Sequence, residues 1–172
     1  MPNWCENQIS IQSTDKKVID HIHDVIMSDD DYNLMGLRRE PENVDDLHNW
    51  RYNNWGTKWS LTINTYNRNH LGEHYEIWMN AESAWSPPLE LLQYITEVHP
   101  VEISCSYQES MMDFIGYAHF ENGQMGVSEG SITDNLPDDF DWDTDDCDEV
   151  YNDTVDRLLC EHETLALQEM AS

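Results

Sequence analysis

Two alternating runs separated by a short polar connection constrain this chain more than any other stretch. Trp59, Leu61, Ile63 and Thr65 fall on one side of an extended segment, and Ser60, Thr62 and Asn64 on the other. After Asn67, Asn69 and Gly72, the same period of two returns in Tyr75, Ile77, Met79 and Ala81. A period of two is that of a strand with one buried face, so the pair predicts a hairpin. Ala84-Trp85-Ser86-Pro87-Pro88 follows, with Ser86 in the position of a helix N-cap and Pro87 at the first helical residue, where no amide partner is needed. Leu91, Leu92, Ile95 and Val98 give the ensuing helix an apolar stripe, and Pro100 stops it.

On either side the pattern extends. Ile9 and Ile11 alternate with Gln8, Ser10 and Gln12 as in a first strand. Ser13 or Thr14 then caps a helix carrying Val18, Ile19, Ile22, Val25 and Ile26, which Ser28-Asp29-Asp30-Asp31 ends. Residues 32–54 hold no sustained period and predict a long excursion with at most a short helix. Beyond Pro100, Val101, Ile103, Cys105 and Tyr107 read as a strand. Phe114 to Phe120 reads as another, which Asn122-Gly123 returns through Met125 and Val127. The order strand, helix, strand, strand, helix, strand with an added hairpin predicts an α+β, ferredoxin-like (βαββαβ) fold: one antiparallel sheet with two helices on one face. Its expected extent is residues 1–133, with a long 28–57 insertion; residues 134–172 form an acidic C-terminal segment ending in a helix.

Charge sets the function classes. The 172 residues carry 35 Asp and Glu against eight Lys and Arg, a net charge of -27. Residues 134–172 hold fourteen of the acids and one base, Arg157. Such a field repels nucleic acid phosphates and anionic membranes and attracts basic surfaces, so direct nucleic-acid binding is not expected even though open ferredoxin-like sheets bind RNA elsewhere. No apolar run reaches the length that spans a bilayer, and the N-terminus has no basic-then-apolar signal, which predicts a cytoplasmic protein. Cys5, Cys105, Cys147 and Cys160 show no C-x-x-C spacing and read as free thiols.

The strings Met1-Pro2-Asn3-Trp4-Cys5-Glu6-Asn7, Trp55-Gly56-Thr57-Lys58-Trp59, Ala84-Trp85-Ser86-Pro87-Pro88 and the Tyr107 to Gly116 segment together resemble the YubB-type ferredoxin-like family of bacteriophage and plasmid proteins of unknown function. The resemblance covers about residues 1–130, and the tail is no part of it. Ser110-Met111-Met112-Asp113 departs from the glycine that family tends to carry near position 110. The resemblance implies a mobile-element protein in a bacterial cytoplasm and carries over no reaction or catalytic residue.

Two candidate sites follow. Trp4, Trp55, Lys58, Trp59 and Trp85 are candidates for an aromatic-walled pocket, the basis of an alternative reading as a nucleotide- or metabolite-binding protein or enzyme. Asp138, Asp139, Phe140, Asp141, Trp142, Asp143, Asp145 and Asp146 are candidates for partner binding, because acids interleaved with aromatics combine electrostatic complementarity with apolar anchors. Asp141, Asp143 and Asp145 imitate the start of a calcium loop. Asp146 then stands where its glycine belongs and Asn152 where its bidentate glutamate belongs, so no metal and no cofactor is expected. The leading expectation is a non-enzymatic accessory protein that inhibits a basic host or anti-phage defence protein through its acidic surface, in the manner of a DNA mimic. An exposed edge strand beside the added hairpin leaves a route to a homodimer.

Overall fold

The structure, a computed structural model, describes residues 3–28 and 33–172. Met1, Pro2 and the acidic stop expected at Asp29 to Asp31 lie outside the described residues. Six strands form one antiparallel sheet: β1 (Trp4–Ser13), β2 (Thr62–Leu71), β3 (His74–Ala84), β4 (Glu102–Glu109), β5 (Phe114–Glu121) and β6 (Gln124–Gly130), in the order β2-β3-β1-β4-β5-β6. The first four strands have the ferredoxin-like order, and the added hairpin extends the sheet beyond β4. Asn122 and Gly123, both at positive φ, make its turn, as the Asn-Gly signal predicts.

Helices α1 (Lys16–Ser28) and α3 (Leu89–Val98) cover one face. They bury Ile19, Ile22, Ile26, Leu91, Leu92 and Ile95 against Ile9, Ile11, Ile77, Met79, Ile103, Cys105 and Phe120. The excursion between α1 and β2 contains a 3-10 turn, Asn33–Arg38, and a short helix α2 (Leu47–Trp55) capped by the Asp46 side chain.

Four local expectations are corrected. Helix α3 begins at Leu89 with Pro88, not Ser86, at its N-cap position: Pro87 and Pro88 have no amide N–H to give a Ser86 cap, and the Ser86 hydroxyl donates instead to the Gly56 carbonyl. Val98 is 48% exposed on the last turn rather than packed. At α1, Ser13 Oγ accepts the Asp15 amide while the Asp15 carboxylate accepts that of Lys17, so Asp15 satisfies the helix end. In β2 the register shifts between Ile63 and Thr65, so Tyr66, not Thr65, joins Ile63 against the core.

The last helix, α4 (Cys147–Met170), lies on the opposite face of the sheet. It packs on β5 and β6 through Ile115, Tyr117, Gly126, Ser128 and Gly130, positions that alternate with those facing α3. Val155 and Leu158 join Ile115 and Ile132 in a second apolar cluster, with Tyr151 and Leu159 beside it. Glycines at 126 and 130 let the helix approach closely: a Cβ at Gly126 would stand 2.2 Å from the Ala166 carbonyl oxygen.

Candidate functional site

The tryptophan strings build a latch at one end of the sheet. Trp55 is 1% exposed, its indole nitrogen donates to the Arg38 carbonyl at 2.8 Å, and Trp50 meets it edge to face. Thr57 Oγ1 donates to the Ala84 carbonyl at 2.9 Å and accepts the Ala84 amide at 3.1 Å. Ser83 Oγ donates to Ser86 O, and the Trp85 amide to Asn3 O, with Trp85 itself turned through positive φ. Asn7, buried beside them, donates to Cys5 O, Ala81 O and Ser83 Oγ, so one amide ties β1 to β3. Of the five pocket candidates, Trp4, Lys58 and Trp59 come together: the two indoles meet at 6.3 Å and the ammonium stands 5.2 Å from the Trp59 ring. Trp55 is separated into the core, and none of the five lines either groove described below.

The acidic candidates stand on an ordered run of turns between the short 3-10 turn Thr133–Asn135 and α4. Asp138, Asp139, Asp141, Asp143, Asp145 and Asp146 are all exposed. Asp141 Oδ1 accepts the Asp143 amide at 3.0 Å, and Trp142 meets Phe140 edge to face at 4.8 Å and the tilted ring of Tyr151 at 5.6 Å. Trp142 stays 60% exposed, and Tyr151 reaches Ser110 Oγ beside the exposed Met111 and Met112. Along α4, Glu149, Asp153 and Asp156 continue the charge on the solvent side, while Thr154, Val155, Leu158, His162 and Ala166 face the sheet.

His162 holds that interface chemically. Its Nδ1 pairs with Ser128 Oγ at 2.8 Å, its Nε2 has no partner among the described residues, and burial holds its pKa below the ordinary histidine value against the pull of Glu161 and Glu129. The folded state therefore favours the neutral ring. Its contribution is fully present above the unfolded value of about 6.5 and is lost as pH falls below it. Amide exchange in α4, corrected for its intrinsic pH dependence, should rise relative to β1 between about pH 7.5 and 5.5. A ratio that stays constant would deny His162 this role.

The concave surface of the sheet was not expected from the sequence. Over β1, β3 and β4, the face opposite α1 and α3 is left uncovered by α4 and forms two contiguous grooves of about 400 and 370 Å³. Both include Gln8, Ser106 and Leu159. Register places Glu6 directly opposite Glu82 on β3 and Gln108 on β4, and Ser10 opposite Trp78 and Ser104. Glu76, buried at the far end, resists the upward push of burial because Ser10, Asn69 and Gln12 all donate to it, and its carboxyl stays below the ordinary range. The detectable signal was Trp78, a large aromatic on the polar phase of its strand.

Cys5 and Cys105 share the core face, but Cys105 pairs with Ile9, four residues from Cys5. Burial pushes the Cys5 thiol up to about 12 and raises that of Cys105 as well, so both are protonated core thiols. Among the described residues, no three His, Cys, Asp or Glu side chains converge to hold a metal, and no helix is long and apolar enough to cross a membrane.

A six-stranded antiparallel sheet with ferredoxin-like order and helices on both faces defines an α+β domain of the ferredoxin-like class. The chain belongs to the family of the ferredoxin-like domain in Api92-like proteins, whose model matches residues 55–152. A crystal structure of the Api92 protein from Yersinia pseudotuberculosis is similar at 20% identity and a TM-score of 0.40, covering 57% of this chain and 35% of that one. No curated protein matches the chain.

Proposed function

We propose that this is a non-enzymatic accessory protein of a phage or plasmid, acting in the bacterial cytoplasm, that binds and inhibits a basic host or defence protein through its acidic C-terminal face. One observation carries the reading: the densest acid in the chain sits on an ordered scaffold, with α4 docked on the sheet and Phe140, Trp142 and Tyr151 clustered among the carboxylates. A merely solubilising tail needs neither docking nor an aromatic cluster. Exposed Trp142, Met111 and Met112 supply apolar contact area, and the surrounding carboxylates supply attraction and register. Carboxylates fixed on turns and on a helix can occupy a groove built for DNA phosphates, by the same electrostatics seen from the other side.

The reading predicts a partner that is captured at about 50 mM salt and released by about 0.5 M salt, where screening is strong. Competing duplex DNA should release the same partner. Neutralising Asp141, Asp143 and Asp145 to Asn together should weaken capture roughly tenfold, and Trp142→Ala by a similar factor. A partner held equally at both salt concentrations, or indifferent to these substitutions, would refute it.

A further inference from the structure

We infer that the outer edge of β2 is a docking strip for an extended segment of the basic partner, which joins the sheet as a further strand. Strand β2 ends the sheet, and Asn67 to Leu71 are exposed throughout. The two-residue turn Gly72-Glu73 closes on the Leu71–His74 pair, so the bonds to β3 fall at Leu71, Asn69 and Asn67. The backbone amides and carbonyls of Tyr66, Arg68 and His70 therefore point away from the sheet, and nothing among the described residues bonds to them. From Tyr66 to His70 the strip runs about 13 Å at the rise of a strand. The bulge between Ile63 and Thr65 ends it.

Side-chain ties leave this strip straight and bare. The Tyr66 hydroxyl meets His23 Nδ1 at 2.7 Å, the Arg68 guanidinium pairs with Asp20, and the His70 ring lies flat on Tyr75 at 4.5 Å. All three side chains are drawn toward α1 or back onto the hairpin, off the rim. The opposite edge is plugged: on β6 the amide of Val127 is taken by the Glu169 carboxylate of α4 at 2.9 Å. Unpaired amides and carbonyls at strand spacing recognise an extended backbone, so the strip itself sets the occupant's conformation. The sign of its charge follows from the -27 of the chain, and on this point the inference rests on the function proposed above. A partner segment with an uncharged residue opposite Arg68 avoids like-charge pairing. A second copy paired along the whole strip does not, because Arg68 would face its own counterpart.

The test is amide shift mapping of the full chain in about 0.15 M salt, where diffuse attraction is screened. The probe is a capped peptide of alternating Val and Lys, long enough to span the strip, which presents valines in one phase and lysines in the other. The control has the same number of lysines in Lys-Pro-Pro repeats, which hold a polyproline helix and cannot pair as a strand. Saturable shifts along β2, centred on Tyr66, Arg68 and His70, are expected with the first peptide, and binding at least about tenfold weaker with the second. Arg68→Pro removes an outward amide without touching a bond to β3, so an edge strand tolerates it, and the Kd should rise about tenfold or more. Should that variant fail to fold, the two peptides on the unmodified chain decide. Equal binding of both peptides, shifts confined to residues 138–146, an unchanged Kd in folded Arg68→Pro, or a chain already dimeric through β2 would overturn the proposal. None of these outcomes removes partner capture by the acidic face, and loss of that capture leaves peptide binding at β2 measurable, so the two readings fail separately.

Discussion

Gly56→Ala should cost about 3 kcal/mol of stability, the sum of a left-handed backbone imposed on an L side chain and a backbone collision. Gly56 closes α2 at φ +80, with its amide donating to the Arg51 and Tyr52 carbonyls. A Cβ there would stand 2.0 Å from Glu90 Oε2, which can swing away. It would also stand 2.9 Å from Pro87 O and 3.0 Å from Leu89 N, which cannot move without shifting the start of α3. Gly72 is the internal control: it also has positive φ, but nothing lies within 4 Å of its Cβ position. Gly72→Ala should therefore cost only about 1 kcal/mol, the conformational part alone. Urea unfolding of both variants checks this, with midpoints that separate at unchanged slope. Equal losses would mean that the latch between α2 and α3 is not as tightly closed as described.

Gly126→Ala should loosen α4 from the sheet while leaving the α1 and α3 side intact. The backbone at Gly126 needs no unusual φ, so the effect is purely one of contact. A methyl group would meet the Ala166 carbonyl oxygen at 2.2 Å and Met170 Cγ at 2.6 Å, and the first of these is helix backbone. The helix must move by an ångström or more, at a cost of about 2 to 3 kcal/mol for overpacking of this kind. Amide exchange should rise along α4 and stay protected in β1 and β3. The same variant tests the proposed function, because a loosened scaffold should lose partner affinity with no acid removed. A variant in which α4 stays protected and capture is undiminished would show that the helix's seat on the sheet is unimportant for binding.

Much of this architecture is readable from residue order, for a physical reason. Ile77, Met79 and Ala81 in β3, and Ile103, Cys105 and Tyr107 in β4, alternate strictly because a strand buried on one face has no other solution. Where local chemistry had two outlets, the reading failed. Ser86 fits a helix cap by spacing, but the two prolines behind it offer no amide, and α3 starts only at Leu89. Asn64 and Thr65 continue the alternation on paper, yet the extra residue is absorbed by a bulge. A helical stripe such as Val155, Leu158 and His162 says that α4 docks, not on which face of the sheet. That was encoded in β6, where Gly126 and Gly130 leave a flat seat on the phase opposite Met125 and Val127. The acidic candidates were legible from composition alone. The two grooves on the open face were not, because the polar phase of β1, β3 and β4 reads as ordinary solvated strand until α4 is placed beside it.

The far edge of the sheet is formed by β2, ten residues from Thr62 to Leu71 that contain no Asp or Glu and, beyond their pairing with β3, expose one rim of unpaired backbone. A rim of that length with no acidic gatekeeper of its own is an invitation to strand exchange between molecules. Like charge repels like, so the surplus of negative charge carried elsewhere on each copy opposes the approach of two such rims and serves as a colloidal shield for this strand.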